Sequence, residues 1–341
     1  MAEKPNGKIN VAVDLGTSNL LIYVEGRGTV FNEPSIIAID VATNKVVAVG
    51  REAAELVGKV HGKVRVVKPL SGGVISDIEM IREILVFTFD KIFMSGVESI
   101  DRLLVCIPSE ITDTERAALV KLGRELGVED TRIEDEIKAA AIGGGIDIFT
   151  SSGYFVIDIG GGTTDFGVLS LGDVVVGRST KIAGDHFDKH IMDYVKENYK
   201  LEIGPQTAEK IKIQLASLTG DLPVDEEGNV LNYSAMGRDL VSGLPRMAVI
   251  QAHEIRQILL SCFESIRAVL LSALENTPPE LSGDLVDNGI LVTGGGANIL
   301  GIKEYFEDIV HVNVRVSPNA GNAVIDGTKK LLKIEHKHFF G

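Results

Sequence analysis

Two stretches, NVAVDLGTSN (10–19) and FVIDIGGGTT (155–164), repeat one plan: an apolar strand, an aspartate, an apolar residue, a glycine, then small or hydroxyl residues. Each then enters a second apolar strand, LLIYV (20–24) in one case and the run through FGVLSL in the other. The copies are about one domain length apart. The repeat predicts two related domains facing each other, each placing one strand–turn–strand at a common cleft. Such a turn suits a phosphate. Glycine has no Cβ, so backbone N–H groups come close to an anion, and Thr and Ser add hydroxyl donors. A single copy could hold any anion, and reads more readily as a simple tight hairpin. Two copies can grip a polyphosphate from both sides, with Asp14 and Asp158 directed at a metal between them. Mg²⁺ suits that arrangement, because it keeps several waters and takes one or two carboxylates plus phosphate oxygens.

The rest of the chain fits this frame. Strand-like runs (46–50, 103–108, 154–159, 289–294) alternate with segments whose apolar residues recur every three or four positions (112–127, 185–199, 253–274). Thr112 or Asp113 followed by Glu115 marks a helix start and Gly127 its stop. The alternation argues for α/β layers, and 341 residues exceed one ordinary core. TGDLPVDEEGNVLNYS (219–234) reads as a surface hairpin or loop. A formal net charge of −14 disfavours nucleic acid and electrostatic adsorption of the body to a membrane. Cys106 and Cys262 sit far apart in apolar runs and read as buried thiols of a reducing compartment. No uninterrupted apolar run approaches ~18 residues, and the polar start MAEKPNGKIN has no signal-peptide core. A cytoplasmic protein is expected.

Two further motifs bear on chemistry. LVTGGGANILGI (291–302) follows a strand, is expected to open a helix, and offers bare backbone to a purine or ribose. It lacks the dinucleotide spacing, and no G-x-x-x-x-G-K-[ST] occurs. In RIEDEIKAAAIGGG (132–145) three acids precede an Ala-rich helix. Acids favour a helix N-terminus through its dipole, and a carboxylate beside a triphosphate can also orient an attacking water.

The paired turns DLGTSN and DIGGGTTD, with TGGGA, resemble the actin, Hsp70 and sugar-kinase superfamily. Within it, NEPSIIAID (32–40), KPLSGGVISD (68–77), IPSEITDTER (107–116), IAGDHFD (182–188), GRDLVSGLPR (237–246) and TPPELSGDLVDNGILVTGGGANILG (277–301) resemble the MreB family of bacterial actins, in order over almost the whole chain. The resemblance implies an α/β actin-like ATPase fold of two related domains, each with a small subdomain, and nucleotide in the interdomain cleft. It places the first domain at 1–150 (small subdomain about 32–68), the second at 151–320 (about 185–252), and a segment 321–341 returning to the first. It implies ATP or ADP with Mg²⁺, slow ATP hydrolysis and filaments of paired protofilaments.

Carried over by residue, Gly16, Thr17 and Asn19 meet the phosphates from the first domain, and Gly160, Gly161, Gly162, Thr163 and Thr164 from the second. Asp14 and Asp158 hold Mg²⁺, mainly through water. Glu136 orients the attacking water with Thr163 as its partner. Glu209 and Lys212 lie on the nucleoside helix, Gly184 and Asp185 on the ribose side, and Gly294, Gly295, Gly296 and Ala297 on the adenine side. One departure bears on catalysis: the family follows its glutamate with Pro-Met, whereas Ile137 and Lys138 stand here. Lys138 puts a cation where the dipole disfavours it, and Glu134 and Asp135 are alternative acids.

Family members hold membranes through an N-terminal amphipathic helix or an apolar loop. Residues 1–8 contain Pro5 and Gly7 and no apolar face. Ile92, Phe93 and Met94 stand at the loop position, with burial at a helix end as the alternative. The tail 329–341 carries Lys329, Lys330, Lys333 and Lys337 and ends in Phe-Phe-Gly, which suits a weak, salt-sensitive contact with anionic lipid or a solvated terminus. Other classes share these turns. A small-molecule kinase needs an acceptor pocket with a base, and a chaperone needs a substrate-binding domain after the ATPase body; a filament-forming ATPase needs only the body.

Overall fold

The computed structural model describes residues 8–60, 62–93, 99–109 and 111–334. The chain forms two units, Met1–Thr150 with Asn322–Gly341, and Ser151–Gly321.

The first unit runs β1 (Lys8–Leu15), β2 (Asn19–Val24), β3 (Gly28–Pro34), β4 (Ile37–Asp40), β5 (Val46–Val49), α1 (Arg51–Ala54), β6 (Val64–Val67), β7 (Leu70–Ser71), β8 (Val74–Ile75), α2 (Ile78–Ile92), β9 (Ser99–Ile107), α3 (Asp113–Glu125), β10 (Asp130–Asp135) and α4 (Glu136–Gly143). Its main sheet has the order β10-β9-β1-β2-β3, and β5-β4-β6 forms a small sheet beside it in sequence. β1 pairs antiparallel with β2 and parallel with β9. Val11, Ala12 and Val13 are buried in succession, as a strand covered on both faces requires. That register sets Asp14 opposite Leu21 on one side and Cys106 on the other. α3 starts where the sequence predicts: Thr112 accepts from the Glu115 N–H, and Glu115 reaches back to the Thr112 N–H at 2.8 Å. Gly127, at φ +81°, ends it.

The second unit runs β11 (Tyr154–Ile159), β12 (Thr164–Ser170), β13 (Asp173–Thr180), α5 (Gly184–Tyr199), β14 (Leu201–Glu202), α6 (Pro205–Leu215), β15 (Asn232–Asp239), β16 (Pro245–Gln251), α7 (Ala252–Glu275), α8 (Pro279–Asn288), β17 (Ile290–Thr293), a 3₁₀ turn (Gly295–Asn298), α9 (Ile302–Val310) and β18 (Val314–Val316). Its sheet, β13-β12-β11-β17-β18, repeats the first unit's order strand for strand. β11 pairs antiparallel with β12 and parallel with β17, as β1 does with β2 and β9. Asp158 therefore occupies the place of Asp14. Residues 219–234 hold a bridge between Val224 and Val230 before joining β15. The TGGGA cluster opens a 3₁₀ turn rather than the expected helix; α9 waits until Ile302, after Gly301 at φ +78°. Among the described residues α7 alone is long and apolar enough to cross a bilayer. Its buried residues, Ile255, Leu259, Cys262, Phe263, Ile266 and Leu270, recur every three or four positions and pack in this unit's core, so it serves as a core helix.

The last helix, α10 (Ala323–Leu331), belongs to the first unit and crosses α4 at very close range. A Cβ on Gly143 would overlap the Ala323 carbonyl oxygen, and one on Gly327 that of Ala139. Lys330 donates to the Ile142 carbonyl at 2.8 Å, and Lys329 pairs with Asp326 at 2.8 Å. Two of the four tail lysines proposed to face lipid are thus engaged within the unit; Lys337 and the Phe-Phe end lie outside the described residues. Ile92 and Phe93 at the end of α2 are half-buried against the first unit's core, with the Phe93 ring 5.9 Å from Phe89 and under the Arg27 guanidinium at 6.0 Å. Met94 lies outside the described residues.

Candidate functional site

In the first unit, Asp14 is buried at the end of β1, and Gly16 opens the turn into β2. A Cβ on Gly16 would stand 2.7 Å from the Asn19 carbonyl oxygen, so a side chain there would spread the turn. Ser35 fixes it from outside: its hydroxyl donates to Gly16 O at 2.6 Å, and its N–H to Ser18 O at 2.9 Å. Thr17 is buried and Asn19 exposed. Glu136 is the first residue of α4 and is 7% exposed. The two neighbouring acids face cations: Asp135 pairs with Arg116, and Glu134 with Lys138 at 3.8 Å. The Lys138 charge that the helix dipole disfavours is thereby offset. Ile137 is buried, so an apolar side chain fills the place where the family has proline.

In the second unit the turn is knitted to the start of α5. Gly160 donates to Thr163 O at 2.9 Å, while Gly184 and Asp185 donate to Gly160 O at 3.1 Å and Gly161 O at 2.7 Å. A Cβ on Gly184 would come within 3.3 Å of Gly161 Cα, so the turn and the start of α5 pack closely there. Asp158 is 4% exposed, and Thr293, its register partner on β17, donates its hydroxyl at 2.8 Å. Burial pushes the Asp158 carboxyl up to about 6, against the opposing pull of that hydrogen bond. Gly294, at φ +82°, passes so close that a Cβ would lie 2.7 Å from Asp158 Oδ1. Gly295 is exposed, with open space where its Cβ would be. Lys212 of α6 donates to Gly184 O at 3.1 Å and pairs with Asp188 at 2.9 Å. Burial pushes Asp188 up to about 6, opposed by Lys212.

The second unit thus brings Asp158, Gly160, Gly161, Thr163, Gly184, Asp185, Lys212 and Gly294 into one chain of contacts, with Gly162 inside the turn. Two expectations change. Thr164 is fully buried and its hydroxyl donates to Ile182 O at 2.8 Å, so it ties β12 to the α5 approach instead of presenting a donor. Ala297 packs in the core, where its side chain is shielded from solvent, and Gly296 is hemmed in by Ile159. Glu209 is exposed on α6, one turn before Lys212. Three supporting residues escaped the sequence reading. Ser35 and Thr293 act across strand pairs, and their hydroxyls carry no local signal. Asp188 was readable only as the residue one helical turn after Gly184 on α5.

Two units on one sheet order, each ending its central strand in an aspartate and a small-residue turn, define an actin-like fold. The chain belongs to the MreB/Mbl family, whose family model, described as MreB/Mbl protein, matches residues 8–339. It is 42% identical over 323 residues to the cell shape-determining protein Mbl of Bacillus subtilis, covering 95% of each chain. Among solved structures it is similar to MreB5 of Spiroplasma citri bound to AMPPNP, with TM-score 0.88, 43% identity and 96% of each chain covered. The MamK double helical filament shares the fold at TM-score 0.78 and 21% identity, over 96% of this chain and all of that one.

Proposed function

We propose that this chain is a bacterial cytoskeletal ATPase that binds ATP with Mg²⁺, polymerises into filaments with a role in cell shape, and hydrolyses its nucleotide slowly in the cytoplasm. The observation that carries nucleotide binding is the Asp158 constellation. A carboxylate buried at a strand end, supported by the Thr293 hydroxyl and walled by Gly294, is costly until a cation stands near it. Asp158, and Asp14 in the equivalent place of the first unit, would hold Mg²⁺, which supplies charge neutralisation for phosphate oxygens. The turns at Gly16–Thr17 and Gly160–Thr163 present backbone donors to phosphate. Gly184, Asp185 and Lys212 bound the sugar side, and Gly294–Gly295 offer bare backbone to the base. Glu136, buried at the first turn of α4 beside two cation-paired acids, is assigned the water-orienting role with Thr163 as partner.

Self-association has its own support. On the β15–β16 hairpin Met236 and Met247 stand opposite each other in register and are 75% and 58% exposed, with Val241 and Leu244 exposed at the tip. An apolar face of this kind fits a second copy of the chain.

The test is sedimentation of the purified protein with ATP, ADP or no nucleotide, with phosphate release followed in the same tubes. Nucleotide-dependent pelleting with slow release is expected. Glu136→Ala should retain ATP binding and lose release. ATP consumption stimulated by a small hydroxyl compound, without pelleting at any concentration, would overturn the reading in favour of a kinase.

A further inference from the structure

α5 carries a second set of chemistry-bearing residues that the nucleotide reading does not use. His186 and His190 are one helical turn apart and share a face; their ring centroids are 4.4 Å apart with 43° between the planes. Cys262 comes from α7, across the helix pair. One ring nitrogen from each histidine and the Cys262 Sγ all lie within 4.8 Å of one another. Burial is graded across the three, with Cys262 buried, His186 half-buried and His190 exposed, so the cluster is open to solvent on the His190 side.

The donor set selects the ligand. Two imidazoles and one thiolate are soft-to-borderline donors that suit zinc-like transition metals, whereas Mg²⁺ and Ca²⁺ require oxygen. Three protein ligands with one open side match tetrahedral Zn²⁺ whose fourth ligand is water. Bonds of about 2.0–2.3 Å would draw the donors inward, and rotation of the exposed His190 ring supplies that movement at little cost. Two imidazoles side by side, next to Lys189, repel when protonated, and a shared metal ion is bound by their neutral forms.

We propose that His186, His190 and Cys262 form a binding site for a zinc-like divalent transition metal, separate from the Mg²⁺ carried by the nucleotide. Burial keeps the free thiol protonated, up at about 11, so binding forms the metal–sulfur bond and releases one proton from sulfur to solvent. A bound ion would cross-link α5 to α7 within the second unit. It would do so two residues from Gly184, whose N–H meets the Gly160 carbonyl, and so stiffen the helix end that supports the glycine turn.

The full chain, prepared metal-free and without a histidine tag, is titrated with Co²⁺ in excess Mg²⁺. The expected result is one equivalent bound with thiolate-to-cobalt charge-transfer absorption, displaced by one equivalent of Zn²⁺. Cobalt on carboxylates or nucleotide phosphates gives no such band, so the signal belongs to a thiol. Cys262→Ser should abolish the band, and His190→Gln should weaken binding at least tenfold. His190 is exposed, so circular dichroism should show that variant folded, and it decides the matter even where the buried Cys262→Ser does not fold. Binding without the thiolate band, or a band unchanged in His190→Gln, would overturn the proposal.

Discussion

Asp158 shows what a single residue at a strand end can and cannot reveal in sequence. The aspartate, the glycines after it and their repetition around Asp14 are local, and pattern alone identifies them. Thr293 lies 135 positions away and becomes its hydrogen-bond donor only because β17 pairs with β11. A threonine at the end of an apolar strand carries no mark of that task. Thr164 errs the other way: it sits in the motif, yet its hydroxyl points to the Ile182 carbonyl. Thr293→Val keeps shape and β-propensity but removes the donor, so the buried carboxylate loses its support. A hydrogen bond to a charged group contributes about 1.5–3 kcal/mol, and part of that is recoverable by metal. Affinity for ATP in the presence of Mg²⁺ should therefore fall roughly tenfold, equivalent to about 1.4 kcal/mol. Affinity measured in chelator should change little, and calorimetric titration under both conditions checks the difference. Equal losses in both would mean that Thr293 shapes the turn instead of supporting the carboxylate.

At the scale of elements, the α4–α10 crossing depends on residues that look unremarkable in sequence. Ala139, Gly143, Ala323 and Gly327 read as ordinary helix content, and only the fold shows that two backbones meet there. Gly327→Val drives a branched side chain into the Ala139 carbonyl, and overpacking against backbone should cost about 3 kcal/mol or more. Gly283→Ala on α8, with open space around its Cβ position, should be neutral or stabilising by up to ~1 kcal/mol. Thermal melts of the two variants against the parent test the contrast.

The start of α7 is more sensitive to pH. Glu254 accepts from the Gln251 N–H at 2.7 Å, from Tyr194 at 2.7 Å, and from Tyr199 at 2.9 and 2.8 Å. Burial works against its ionisation, but these donors outweigh burial and hold the carboxyl below the usual range. A depressed folded value means that the stabilisation is present above the unfolded glutamate pKa of about 4.3 and is lost as pH falls through the folded one. Glu254→Gln keeps an acceptor without the charge. It should lower stability to urea by about 1 kcal/mol at pH 7, and the gap to the parent should close at acid pH. A gap that persists at low pH would place the loss in packing instead.

At the scale of the whole molecule, the repeat was legible because it is written twice, and it predicts the shared sheet order of the two units without any contact being known. Surfaces are written once and without period, so the Met236–Met247 face had no sequence signal and needed the β15–β16 register to appear. Net charge, by contrast, is read directly from sequence, and it constrains assembly. Each copy carries a formal −14, so bringing copies together accumulates like charge, while the exposed methionine face supplies apolar area that salt does not weaken. Monovalent salt shortens the Debye length from about 30 Å at 0.01 M to about 8 Å at 0.15 M, which removes repulsion between neighbours beyond the contact itself. Pelleting at fixed ATP and Mg²⁺ should therefore increase across that range, with the critical concentration falling. Met247→Asp should raise the critical concentration at every salt concentration, because it puts a charge opposite Met236 and extends the repulsion. If pelleting instead falls steadily with salt, the subunit contact is held by complementary charges, and the apolar hairpin face is not where copies meet.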